Sequence, residues 1–171
     1  TIRRGWPEDP EVSVSNAPSP ACKSPSPPIR NGPPNAPPKA AAKGSLHPVD
    51  ITYDGPDLAE VAARTGLTVA KVIAAHRSAT YHVALYGFAP GYAYLSGLPD
   101  AIRLPRKETA IRDVPAGSVI IAAGQCIVTT LTMPTGWWII GHSRTPILRP
   151  NDPRPFLFEV GDRVEFRQAA P

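Results

Sequence analysis

Val114-Pro115-Ala116-Gly117-Ser118-Val119-Ile120-Ile121-Ala122-Ala123 is the stretch on which the fold is read. Proline in the second place and glycine in the fourth make 114–117 a turn. It feeds a buried strand at 118–123. Residues 126–131 form a second candidate strand. A third, 137–140, is entered through Pro134-Thr135-Gly136. Further out, Tyr81, Val83 and Leu85 alternate with His82 and Ala84. Gly161-Asp162 leads into Arg163-Val164-Glu165-Phe166-Arg167, again with the period of two that gives a strand one buried face.

Before the strands the period changes. Asp57-Leu58-Ala59-Glu60 reads as a capping box, with Asp57 as N-cap and Glu60 at the third helical position. Leu58, Val61 and Ala62 follow at helical spacing, and Gly66 stands where a C-cap belongs. Thr68 is placed to cap a second helix whose apolar line is Val69, Val72, Ile73 and His76. Two helices followed by many short strands with Gly/Pro turns predict a mainly β (α+β) fold, a barrel with a short two-helix cap. No unit repeats, and no parallel βαβ rhythm is present. The domain is placed at 47–169.

The 171 residues carry 23 prolines, 12 of them within residues 1–48. That segment holds six Lys or Arg against three acids, whereas the rest holds twelve against eleven. The basic pI of 9.3 therefore belongs mostly to the front of the chain and gives little support to a folded nucleic-acid face. Between Ser15 and Gly44 the only large aliphatic side chain is Ile29. Such a stretch buries too little apolar surface to offset its ordering entropy, so 1–46 is expected to be a disordered, proline-rich tail or linker. Trp6 is the one residue there suited to tuck against a domain. No run approaches the ~18 apolar residues of a membrane-spanning helix. No charged segment followed by an apolar one marks a secretion signal. Cys22 and Cys126 make neither a disulfide framework nor a zinc knuckle. The expected setting is cytoplasmic, with no membrane, no nucleic acid and no metal.

Chemistry concentrates at residues 87–99, where three glycines, two prolines and three aromatics lie within thirteen positions. Phe88, Tyr92 and Tyr94 on such a loop either floor a pocket or meet a partner, or else fold over the core with their rings buried. Arg103, Arg106 and Lys107 follow, either as a grip for carboxylate or phosphate or as a solvated basic turn. Trp137 and Trp138 are neighbours in a strand and must face opposite sides, one into the core and one toward a cleft or interface. His76 is either a core residue with a satisfied hydrogen bond or, if the aromatic loop packs over it, a general base. His82 and His142 are weaker candidates, and His47 carries little signal. A buried Cys126 would be inert. No nucleophile elbow, phosphate loop or dinucleotide fingerprint is present.

Gly87-Phe88-Ala89-Pro90-Gly91-Tyr92-Ala93-Tyr94-Leu95 resembles the G-F-x-P-G-F-x-Y-L signature of the allophanate hydrolase subunit 1 family, which includes a component of ATP-dependent 5-oxoprolinase and a kinase-inhibitor relative. Asp57-Leu58 with Val61-Ala62 and Thr65-Gly66-Leu67, then Leu104-Pro105-Arg106, Val114-Pro115-Ala116-Gly117-Ser118-Val119, Gly124-Gln125, Pro134 with Gly136-Trp137, and Gly161-Asp162-Arg163-Val164 follow its order over about residues 47–168. The sequence departs from the family where Ala110-Ile111 replaces a second P-R pair, where Cys126-Ile127-Val128-Thr129-Thr130 lacks a glycine, tyrosine and proline, and where a G-R-T reads Gly141-His142-Ser143. The proline-rich segment stands where the family has a small N-terminal domain.

The resemblance implies a cyclophilin-like barrel and work inside a complex with a homologous second subunit and a third. It implies a small amide or lactam substrate, above all 5-oxoproline opened to glutamate. ATP with magnesium would enter with the assembled complex, since this chain has no cofactor motif. A lactam is a poor electrophile whose phosphorylated oxygen would be a leaving group, so such a site needs cationic or N–H donors for phosphate and a base for water. His76 and Arg106 are the catalytic candidates, and Phe88, Pro90, Gly91, Tyr92, Tyr94, Gln125 and Trp137 are the substrate-binding or interface candidates. The alternatives are a carboxyltransferase component of a biotin-dependent urea carboxylase system, with biotin on another chain, and a regulatory inhibitor of a histidine kinase.

Overall fold

The computed structural model describes residues 44–169. Trp6, Cys22 and nearly all of the proline-rich segment read as a tail lie outside them. The chain runs β1 (Leu46–Ile51), α1 (Leu58–Thr65), α2 (Val69–Ser78), β2 (Thr80–Tyr86), β3 (Ala93–Ser96), β4 (Ile111–Val114), β5 (Ser118–Ala122), β6 (Gln125–Val128), β7 (Met133–Thr135), β8 (Trp138–His142) and β9 (Arg163–Gln168). Seven strands make one sheet in the order β1-β9-β2-β3-β6-β5-β8, and β4 pairs with β7 as a separate ribbon. The sheet is antiparallel except where β1 and β9 run parallel. It curls into a half-barrel whose edges meet beside β1, where Thr52 and His142 exchange backbone bonds of 2.8 and 2.9 Å.

The turn at 114–117 forms as read. Gly117 adopts φ +85°, and a Cβ there would stand 2.6 Å from the Ser143 carbonyl oxygen, so only glycine fits. β5 is buried along its whole length. Val119 and Ile121 join an inner core with Val61 and Val72 of the two helices. Ile120 and Ala122 join an outer cluster with Tyr92, Ile127 and Trp137. A sheet covered on both faces gives the unbroken apolar run that the sequence shows.

Several expectations change in detail. Asp57 precedes α1 but makes no side-chain cap. Its Oδ2 instead accepts from Lys107 Nζ at 2.5 Å and from the Ile139 N–H at 2.7 Å, and Glu60 pairs with Arg64 one turn on. Gly66 does cap α1 in the left-handed region, and Thr68 does cap α2, accepting from the Lys71 N–H at 3.3 Å. On α2, Val72 and His76 are buried, whereas Val69 in the first turn is exposed. The alternation of β2 fails at Leu85. Val83 faces Leu95 and Leu85 faces Tyr94, so one extra residue bulges and Leu85 turns to solvent. The strand read at 126–131 ends at Val128; just beyond it the Thr129 hydroxyl accepts the Ser118 N–H and donates to the Pro115 carbonyl, tying the chain to the 114–117 turn. Pro134-Thr135 belongs to β7 and not to a turn. Among the described residues no helix is long and apolar enough to cross a membrane.

Candidate functional site

The period of two sorts the chemistry-bearing residues onto opposite faces of the sheet. On β6, Cys126 points into the inner core and Ile127 outward; across the start of β8, Trp138 is inner and Trp137 outer. Around β3, Ala93 and Leu95 are inner, while Tyr92 and Tyr94 pack outward. Four outer rings therefore meet edge to face in a row: Phe88 to Tyr92 at 5.7 Å, Tyr92 to Tyr94 at 6.0 Å, and Tyr94 to Trp137 at 6.0 Å. They line an open groove of about 250 Å³, with Arg106 and Glu108 beside it. The Arg106 guanidinium lies over the Trp137 ring at 5.4 Å.

The loop between β2 and β3 sets the rim. The Ala89 N–H bonds the Gly87 carbonyl at 2.9 Å, placing Phe88 at the centre of a three-residue turn with φ +71°. That conformation is rare and strained for a residue with a side chain. It holds Phe88 out, 76% exposed. Thr130 Oγ1 donates to the Pro90 carbonyl at 2.7 Å, and Gly91, at φ +70°, packs against Thr130, Leu148 and Phe156. Pro90 and Gly91 thus shape the loop from behind, whereas the rings face the groove. Burial, and then the neighbouring Tyr94, push the Tyr92 hydroxyl up to about 12, so it stays a neutral donor.

The three cations of the basic turn separate. Lys107 is taken up by Asp57, with both side chains nearly buried. Arg103 pairs with Asp100 at 2.8 Å. Arg106 pairs with no carboxylate among the described residues and is the guanidinium left for a ligand. The run of cations left a grip and a solvated turn both open, and which of the three would stay unpaired was not legible in it.

His76 is not brought to this groove. It is fully enclosed on the inner face, with Nδ1 2.8 Å from the Tyr53 hydroxyl and Nε2 3.5 Å from Cys126 Sγ. The sheet stands between it and Arg106, so as placed it supplies no base to the ring groove. Burial lowers its pKa to about 3. The same burial raises the Cys126 thiol well above its ordinary value, which keeps it protonated. Gln125 is also elsewhere, half-buried at the start of β6 and paired with Ala122 and Ser96. His47 bonds Asp162 at 2.8 Å, and His82 is exposed on β2.

The His76 environment has a testable consequence. Between about pH 6.5 and about pH 3 the unfolded chain binds a proton that the folded chain refuses. Stability should therefore fall with pH through this window, by up to about 1.4 kcal/mol per pH unit. Urea unfolding measured from neutral to acid pH should show that slope, and His76→Gln should flatten it by about one proton. An unchanged slope in the variant would rule out a neutral buried imidazole.

The carboxyltransferase domain family, subdomain C and D, matches residues 26–158. The B-type subunit of 5-oxoprolinase from Escherichia coli O157:H7 is 43% identical over 112 residues, covering 66% of this chain and 51% of that protein. A conserved uncharacterized protein of Pyrococcus horikoshii superposes with a TM-score of 0.70 at 37% identity, over 73% of this chain and 59% of that one. The urea carboxylase of Kluyveromyces lactis shares the fold at 17% identity and a TM-score of 0.59, over 75% of this chain and 14% of that one. The chain spans about half the length of the curated relatives it matches. The signature at 87–95, the curled sheet that presents it and the match over most of the chain agree: the chain belongs to the carboxyltransferase domain family, subdomain C and D.

Proposed function

We propose that this chain serves in an ATP-dependent amidohydrolase assembly that opens 5-oxoproline to glutamate, with the ring groove contributing to the substrate site. The observation that carries this reading is the Arg106 guanidinium held over Trp137 at the mouth of an open, aromatic-lined groove. A five-membered lactam bearing one carboxylate suits a groove of this size. Arg106 would take the carboxylate through paired N–H donors. The Tyr92 and Tyr94 rings would hold the lactam and exclude water from it, and Phe88 on the rim would meet the homologous second subunit. The curated relatives named as 5-oxoprolinase subunits, at 37–43% identity, support this reading.

Magnesium-bound ATP does not fit the groove. Among the described residues, Arg106 is the one cation in the groove lining without a carboxylate partner, too little positive charge for a triphosphate, because Lys107 is already bound to Asp57. The nucleotide is assigned to another component of the assembly. Mixing the full chain with its second and third subunits should give glutamate release that requires both ATP and 5-oxoproline and resists avidin. Release blocked by avidin would point to biotin-dependent carboxyl transfer. A complete complex that releases no glutamate would refute the lactam reading.

A further inference from the structure

The seam where the sheet's edges meet carries a second concavity, of about 1110 Å³. The reciprocal backbone bonds between Thr52 and His142 fix the chain on both sides of it. Two residues beyond Thr52, Asp54 accepts from His142 Nδ1 at 2.8 Å. A carboxylate only accepts, so Nδ1 carries the proton and Nε2 of the neutral ring is left with its lone pair. An imidazole oriented in this way by a carboxylate has the geometry a general base needs. Both side chains are partly exposed, 39% and 53%, so the base is reachable. Arg144 lines the same concavity and pairs with no carboxylate among the described residues. Asp50 stands in the same lining and disfavours a second negative charge on a ligand. None of these residues lines the ring groove.

We propose that the seam concavity is a second site, at which His142 activates water to hydrolyse an ester carrying a single carboxylate, with Arg144 holding that carboxylate. A water O–H bond breaks and its proton passes to His142 Nε2, while the oxygen bonds to the acyl carbon. The acyl–oxygen bond of the ester then breaks, and the leaving alkoxide takes the proton back from the imidazolium. Asp54 is a positioning residue that holds the neutral ring's proton on Nδ1 and so turns the Nε2 lone pair toward the water. The site does not rest on the lactam chemistry and needs neither partner subunits nor ATP.

The test uses the full chain alone, with the mono-4-nitrophenyl ester of terephthalic acid and neutral 4-nitrophenyl benzoate as probes. Hydrolysis of the carboxylate ester should exceed that by the same concentration of imidazole. His142→Gln should lower it at least tenfold, in keeping with the usual worth of a general base. Arg144→Gln should remove the preference over the neutral ester. Nitrogen-15 NMR should find His142 protonated at Nδ1, and Asp54→Asn should shift that proton toward Nε2 while slowing hydrolysis. A rate no higher than imidazole, a full rate in His142→Gln, or a preference that survives Arg144→Gln would each overturn the proposal.

Discussion

Alanine at Asp57 is expected to cost about 3–5 kcal/mol of folding stability, as breaking a buried ion pair from one side does. The carboxylate joins three parts of the fold. It precedes α1, it bonds Lys107 Nζ from the basic turn, and it accepts the Ile139 N–H of β8. Removing it strands a nearly buried ammonium and a buried backbone donor together. The Tm should fall by roughly 10–20 °C. Asp57→Asn, which keeps an acceptor for Ile139, should cost less. Pairing Asp57→Ala with Lys107→Met should cost well below the sum of the two single changes, because the second change removes the stranded charge. Additive losses in calorimetry would show that the pair is not a unit.

Replacing Arg106 with alanine should leave stability within about 0.5 kcal/mol, because the side chain is exposed. It should nevertheless lower kcat/KM for 5-oxoproline in the assembled complex by about 10- to 100-fold, the worth of a hydrogen bond to a charged partner. Lysine should recover only part of this. An ammonium lacks the planar fork that grips a carboxylate in two places. Steady-state kinetics of the reconstituted complex would decide it, and an unimpaired Arg106→Ala complex would take the groove out of the substrate site.

The sequence made the ring cluster and the strand after Pro115 legible because both depend on local rules. A Pro/Gly turn opens a β-branched run, and alternation sends Trp137 and Trp138 to opposite faces. What it left hidden depends on pairings made across long separations. The parallel contact of β1 with β9 joins the first and last strands, and no short-range pattern marks it. Asp57 followed by Glu60 has the local form of a cap, yet Lys107 and Ile139 compete for the carboxylate and win it. The line through Val72 and His76 left open whether the imidazole is a core residue or a base, and did not say on which side of the sheet it lies. That becomes readable only once Cys126 is known to touch it while Ile127, the next residue, lines the ring groove. Asp54 and His142 are 88 residues apart and meet only because the sheet curls until its edges join.

Hydrogen exchange on the chain with and without the homologous second subunit proposed for it tests most directly whether a partner completes the groove. Backbone amides at 87–94 and 106–110 should slow when the complex forms, because the exposed Phe88 loop and the Arg106 turn would then be covered. A complex that forms while exchange in both segments stays as it is in the free chain would contradict it.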